Sequence, residues 1–152
     1  MKIIKVLILV LIVVMIAIQF VPDGIPDNKP EDNRTLAHDT LVTPDVLAIL
    51  KKSCFDCHSN QTDFPWYAGI APSSWLLADH INEGRKNLNF SEWQDFSKRK
   101  KVGKLEDIQE QVKKGEMPLK SYTLIHKKAV LTSEEIQTLI KWTDEATGRL
   151  VK

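Results

Sequence analysis

The stretch that most limits what this chain can become is Ser53-Cys54-Phe55-Asp56-Cys57-His58-Ser59-Asn60. Two thiols three residues apart, followed at once by an imidazole, make the Cys-x-x-Cys-His pattern through which haem c is tethered covalently to a polypeptide. Each thiol can form a thioether with one of the two haem vinyl groups, and the histidine then falls under the iron as its proximal ligand. Zinc would need four nitrogen or sulfur ligands, whereas the chain has 2 cysteines and no His-x-x-x-His group. A thioredoxin-type redox pair belongs at the start of a helix after a buried strand. Here the segment before Cys54 reads as helix and no βαβ pattern follows. A plain Cys54–Cys57 disulfide stays as the alternative, and with both cysteines in one motif none is left for a structural disulfide framework.

The N-terminus decides where this chemistry takes place. Met1-Lys2-Ile3-Ile4-Lys5 is short and basic, and Val6 to Val21 is apolar except for Gln19. No small-residue cleavage pattern surrounds Ala17 to Pro22, and with Ile3 and Ile4 the run is long enough to span a bilayer. Residues 1–21 therefore read as an uncleaved anchor with Lys2 and Lys5 on the cytoplasmic side. The haem domain is then expected in the periplasm, tethered to the inner membrane. A cleaved signal and a soluble periplasmic domain is the alternative, and either route delivers Cys54 and Cys57 to an oxidising compartment.

Residues 22–42 change to Pro, Asp, Asn, Gly and Glu, with Pro22, Pro26 and Pro30 at a spacing of four, and read as a semi-stiff linker containing a solvated His38. Residues 43–152 form one domain. Thr43-Pro44-Asp45 is a helix start, and Val46, Leu47, Ile49, Leu50 and Cys54 share one face. Phe64-Pro65-Trp66-Tyr67 is an aromatic cluster that serves as core or haem wall, and Trp66 and Trp75 are counted as cofactor contacts. A second helix is predicted from Pro72 to Asn82, with Trp75, Leu76 and Ala78 inward, His80 on or beside the apolar stripe, and Gly84 as its stop. Ser91 to Gln94 has capping-box spacing for a third helix bearing Trp93 and Phe96. The basic run Lys98 to Lys101 follows. Leu105, Ile108 and Val112 mark another helix closed by Gly115, with Glu110 and Lys114 paired, and Thr132 to Glu135 caps a terminal helix running to Gly148. No stretch alternates with the two-residue period of a strand, so the predicted class is all-α. A net charge of +1 and the lack of any nucleic-acid-binding motif set nucleic acid aside as a partner.

The order of a helix running into Cys54-x-x-Cys57-His58, a Met117-Pro118 loop and a capped C-terminal helix resembles the class I cytochromes c. Pro65-Trp66-Tyr67, Pro72-x-x-Trp75, His80-Ile-Asn-Glu-Gly-Arg85, Leu88-Asn-Phe-Ser91 and Met117-Pro-Leu-x-x-Tyr122 are similar to a family of small exported bacterial haem-binding-domain proteins. The resemblance implies a cytochrome c-like helical domain around one covalent haem c and an electron-transfer or haem-linked redox role. The long basic stretch Lys98 to Lys104 departs from ordinary cytochromes c.

Four residues could face the iron from the distal side, Met117, His80, His126 and His38, and Met117 leads, because a thioether before proline sits on a pre-set turn; His80 and His126 are the alternatives, and an open five-coordinate iron is the remaining one. Arg85 is a candidate to pair a haem propionate through two hydrogen bonds. Two functions follow. One is an electron carrier steered by Lys98, Arg99, Lys100, Lys101 and Lys104 to an acidic redox partner protein. The other is a haem enzyme or sensor, peroxidase-like, with a displaceable distal ligand and His80 as acid–base group.

Overall fold

The structure, a computed structural model, describes residues 2–152, and these contain helices and no strand. The first helix, α1 (Lys2–Ala17), runs on through a 3-10 turn at Ile18–Phe20 and buries none of its side chains against the rest of the molecule. It is long and apolar enough to cross a membrane, as an anchor or as a signal sequence.

The remaining helices pack on one another. Thr43 precedes α2 (Pro44–Ser53), which has Pro44 at its first position and turns Val46, Ile49 and Leu50 inward. A one-turn helix, α3 (Phe55–His58), follows directly. The next, α4 (Ser73–Asn87), buries Leu77, Ala78, Ile81 and Gly84. Then come α5 (Lys98–Lys114), α6 (Lys120–Ile125) and α7 (Ser133–Leu150). Gly115, at φ 66°, gives α5 a left-handed stop, and Glu110 pairs with Lys114 as the spacing predicts. The reciprocal Thr132–Glu135 capping box opens α7. Its face of Leu139, Trp142, Thr143 and Ala146 packs against Leu105, Ile108 and Val112 of α5, in a core shared with α2 and with Phe90 and Trp93.

Several expectations are corrected. Gly84 does not end its helix: α4 continues to Asn87, and Gly84 sits inside it at a close crossing. Leu76 points outward and Trp75 is half-buried. The Ser91 capping box does not form. Instead, Asn89 caps a short 3-10 segment (Phe90–Asp95), and Ser97 caps α5. Ser91 is engaged elsewhere, accepting the Asn60 N–H on its hydroxyl. Gly148 likewise lies within α7.

The largest correction concerns residues 22–42, which do not stand off as a tether. Leu36 is completely buried in the core. Asp39 accepts hydrogen bonds from Trp93 Nε1, Gln94 and Lys101, and Leu41 O accepts from Trp142 Nε1. Upstream, the Asn28 side chain pairs with both backbone polar groups of Thr62. The segment is a strap laid along the domain, and four well-placed residues, Asn28, Leu36, Asp39 and Leu41, outweigh its polar composition.

Candidate functional site

The motif folds as a tight turn. Cys54 breaks α2 at φ −128°, and its carbonyl accepts the N–H groups of both Cys57 and His58. The two thiols and the imidazole thereby reach the same cavity, of about 560 Å³. Its walls come from α2 (Leu50, Ser53), α4 (His80, Gly84), Leu88 and Phe90, α5 (Lys104, Ile108, Val112) and the loop Met117-Pro118-Leu119 with Tyr122. A volume of that size is usual for a small-molecule or cofactor site.

Gly84 allows the motif to lie directly on α4. A Cβ there would stand 2.4 Å from the Cys57 carbonyl oxygen, a backbone atom that cannot swing aside. The close approach lets His58 Nδ1 meet the carbonyls of Gly84 and Leu88, each at 3.0 Å. Two acceptors on one ring nitrogen require Nδ1 to carry the proton, which leaves the lone pair on Nε2. Burial holds the imidazole below its ordinary pKa, against the opposing effect of the two carbonyls, so the ring is neutral. The ring is also held by Phe90, whose edge-on contact has centroids 6.2 Å apart.

Both cysteines are free thiols. Burial pushes Cys54 up to about 12 and Cys57 up to about 11, so both stay protonated. That is the reverse of the lowered pKa that a thioredoxin-type pair requires.

Met117 is set by the end of α5: after the Gly115 turn, the N–H groups of Glu116 and Met117 both donate to Gln111 O. Further along, Tyr122 donates its hydroxyl to Asp56 Oδ2 at 2.5 Å, joining the segment after Met117 to one of the two residues between the cysteines. Burial, with the neighbouring carboxylate, raises the Tyr122 pKa and keeps the donor in place. Asp56 in turn accepts the Asp63 N–H. Sequence reasoning assigned no role to Asp56 or Tyr122; the signal was an acid inside the motif and a tyrosine five residues after the methionine.

The cavity thus brings together Cys54, Cys57, His58, His80 and Met117. The other expected site residues lie elsewhere. Arg85 is turned away, its guanidinium bound to the carbonyls of Ser59 and Asp27 and to the Thr62 hydroxyl, so it is already committed to tying the strap to the loop after the motif. His126 receives its hydrogen bond from, or gives it to, Tyr67 OH at 2.7 Å and stacks on Tyr122 at 4.2 Å. Trp66 stands in solvent-accessible surface, Trp75 is outside the cavity wall, and His38 is exposed on the strap. Among the lysines of the basic run, Lys101 is buried and paired with Asp39 at 3.1 Å, and Lys104 lines the cavity and pairs with Asp107.

The donor set fits a haem: an apolar-walled cavity, a neutral imidazole with Nε2 available, two thiols beside it and a thioether lining the same cavity. The family model described as a haem-binding domain matches residues 13–145. Comparison with curated proteins and with solved structures gave no match.

Proposed function

The chain belongs to the haem-binding-domain family, and from that premise we propose that it is a membrane-tethered periplasmic c-type haem protein that transfers electrons through a His/Met-ligated iron. Cys54 and Cys57 hold the cofactor covalently, His58 ligates through Nε2, and Met117 is the distal ligand. The observation that carries this reading is the single cavity that gathers both thiols, the oriented imidazole and the methionine. Bound there, the haem supplies a one-electron couple, which a thioether ligand poises higher than a second histidine would.

The residues around the cavity do the rest. Gly84 and Leu88 fix the ligand tautomer through their carbonyls, and the Tyr122–Asp56 hydrogen bond holds the Met117 loop against the attachment turn. With His58 and Met117 both ligating, no coordination position would be left for a substrate, which suits a carrier. Lys98, Arg99 and Lys100 are exposed at the start of α5 and form the basic patch for an acidic redox partner, while Lys101 and Lys104 are removed from it by their carboxylate partners. His80, which lines the same cavity, supports a second reading, a haem enzyme or sensor in which Met117 would be displaced and His80 would handle the proton.

The test is made on the purified full chain. Haem is expected to stay with the polypeptide through denaturing electrophoresis, and the oxidised protein to show the weak far-red absorption of thioether-ligated ferric haem. Met117→Ala is expected to abolish that absorption and admit carbon monoxide, and His80→Ala to leave both unchanged. Loss of haem on denaturation would overturn covalent attachment. Far-red absorption surviving Met117→Ala would overturn the ligand assignment.

A further inference from the structure

Gln19, the one polar residue in the apolar N-terminal run, is fully committed. Its Nε2 donates to Met15 O at 2.9 Å and to Ala71 O at 3.0 Å, and its Oε1 accepts the Ala71 N–H at 3.0 Å. One amide side chain thus clamps both backbone polar groups of Ala71 and ties the end of the apolar helix to the turn that precedes α4. That turn is well ordered by its own bonds, Ala68 N–H to Pro65 O and Ile70 N–H to Tyr67 O.

Around this clamp the surface is apolar. Phe20 is 83% exposed and Trp66 84%, and Phe64 and Ile70 are exposed with them. From Phe64 to Ala78, 15 consecutive residues include no Asp, Glu, Lys, Arg or His, in a chain that is 27% charged. Exposed apolar residues scattered singly are ordinary, but a cluster with no charge inside it marks a contact surface. Covalent continuity with α1, whose side chains are all free of the domain, names what it contacts.

We infer that the Phe64–Ile70 turn, with Phe20, is a membrane-docking face: it rests in the interfacial layer of the bilayer that α1 spans, with the Trp66 indole at headgroup depth, and Gln19 holds the domain in that orientation. Tryptophan and tyrosine favour this layer because one end of the ring system is apolar and the other is wet. A charge-free segment can enter it without desolvating an ion. The inference rests on the anchor reading of α1.

The test uses the full haem-loaded chain in phosphatidylethanolamine/phosphatidylglycerol vesicles doped with a diazirine-bearing phospholipid, followed by photolysis and peptide mass spectrometry. Lipid adducts are expected on α1 and on the peptide containing Trp66 and Ile70, and not on the peptide containing Lys98 to Lys100. Gln19→Ala is expected to lower the Trp66 peptide adducts several-fold and leave those on α1 unchanged. Adducts on α1 with none on the Trp66 peptide, or equal labelling of the Lys98–Lys100 peptide, would overturn the docking face and leave the anchor standing. A chain without α1 adducts would overturn both, and undiminished labelling in Gln19→Ala would overturn the role given to the clamp.

Discussion

Gly84 shows how one absent methyl group shapes the site. Replacing it with alanine drives a Cβ to within 2.4 Å of Cys57 O, so α3 and α4 must separate. Overpacking of this kind costs about 1–3 kcal/mol. The separation also pulls the Gly84 carbonyl from His58 Nδ1, so Gly84→Ala is expected to lower the thermal midpoint and to shift the reduction potential, measured by circular dichroism melting and by redox titration. A surface glycine such as Gly69, where a Cβ meets nothing within 4 Å, should tolerate alanine without either effect. That Cys54, Cys57 and His58 would share one site was legible in the sequence because it depends on spacing along a single turn. The role of Gly84 was not. A glycine near the end of an apolar stripe looks the same whether it stops a helix or admits a neighbour, and the neighbour here lies 27 positions away in the chain, at Cys57 (84 − 57). Arg85 misled for a related reason: its guanidinium suits carboxylates and carbonyls alike, and the carbonyls were nearer.

At the scale of elements, the Pro44 start of α2, the Gly115 stop of α5 and the Thr132–Glu135 box of α7 could be read from the chain because such signals are local, whereas the Thr43 hydroxyl makes no cap bond and the cap of α5 falls on Ser97 instead of Ser91. The strap could not, because proline spacing and polar composition describe a segment's average, and a few residues decide whether it docks. Asp39 is the chief of these. It is half-buried beside the buried Lys101, and although that burial raises its pKa, the Leu41 N–H and the Lys101 ammonium more than offset it and leave the carboxyl below the usual carboxylate range. A carboxylate so depressed contributes stability above its unfolded pKa of about 3.9 and loses it as pH falls through the lower folded value. Acid titration followed by far-ultraviolet circular dichroism should therefore show the wild type losing stability below about pH 4. Asp39→Ala is expected to cost roughly 3–5 kcal/mol near neutral pH, since it leaves Lys101 buried without its partner, and to lack this acid-dependent portion. Urea unfolding of the two proteins measures the difference.

For the molecule as a whole, the strap moves the boundary of the folded unit. The sequence places it at residue 43; the packing of Leu36, Asp39 and Leu41 places it well before that. A chain beginning at Thr43 loses a fully buried leucine, the partner of Lys101 and the acceptors of both Trp93 Nε1 and Trp142 Nε1. It is expected to melt without a cooperative transition, whereas a chain beginning at Val21 melts cooperatively. Equal melting of the two would mean that the strap contributes nothing. The end of α4 carries a last consequence. Gly84 O and Leu88 O lie at the C-terminal end of this 15-residue helix, where the peptide dipoles leave partial negative charge. Both face the proton on His58 Nδ1, drawing it outward and enriching the opposite nitrogen in electrons. On the proposed ligation the iron is therefore fed by a backbone segment rather than by a carboxylate side chain, and fraying one helix turn would change the driving force for electron transfer without touching a ligand.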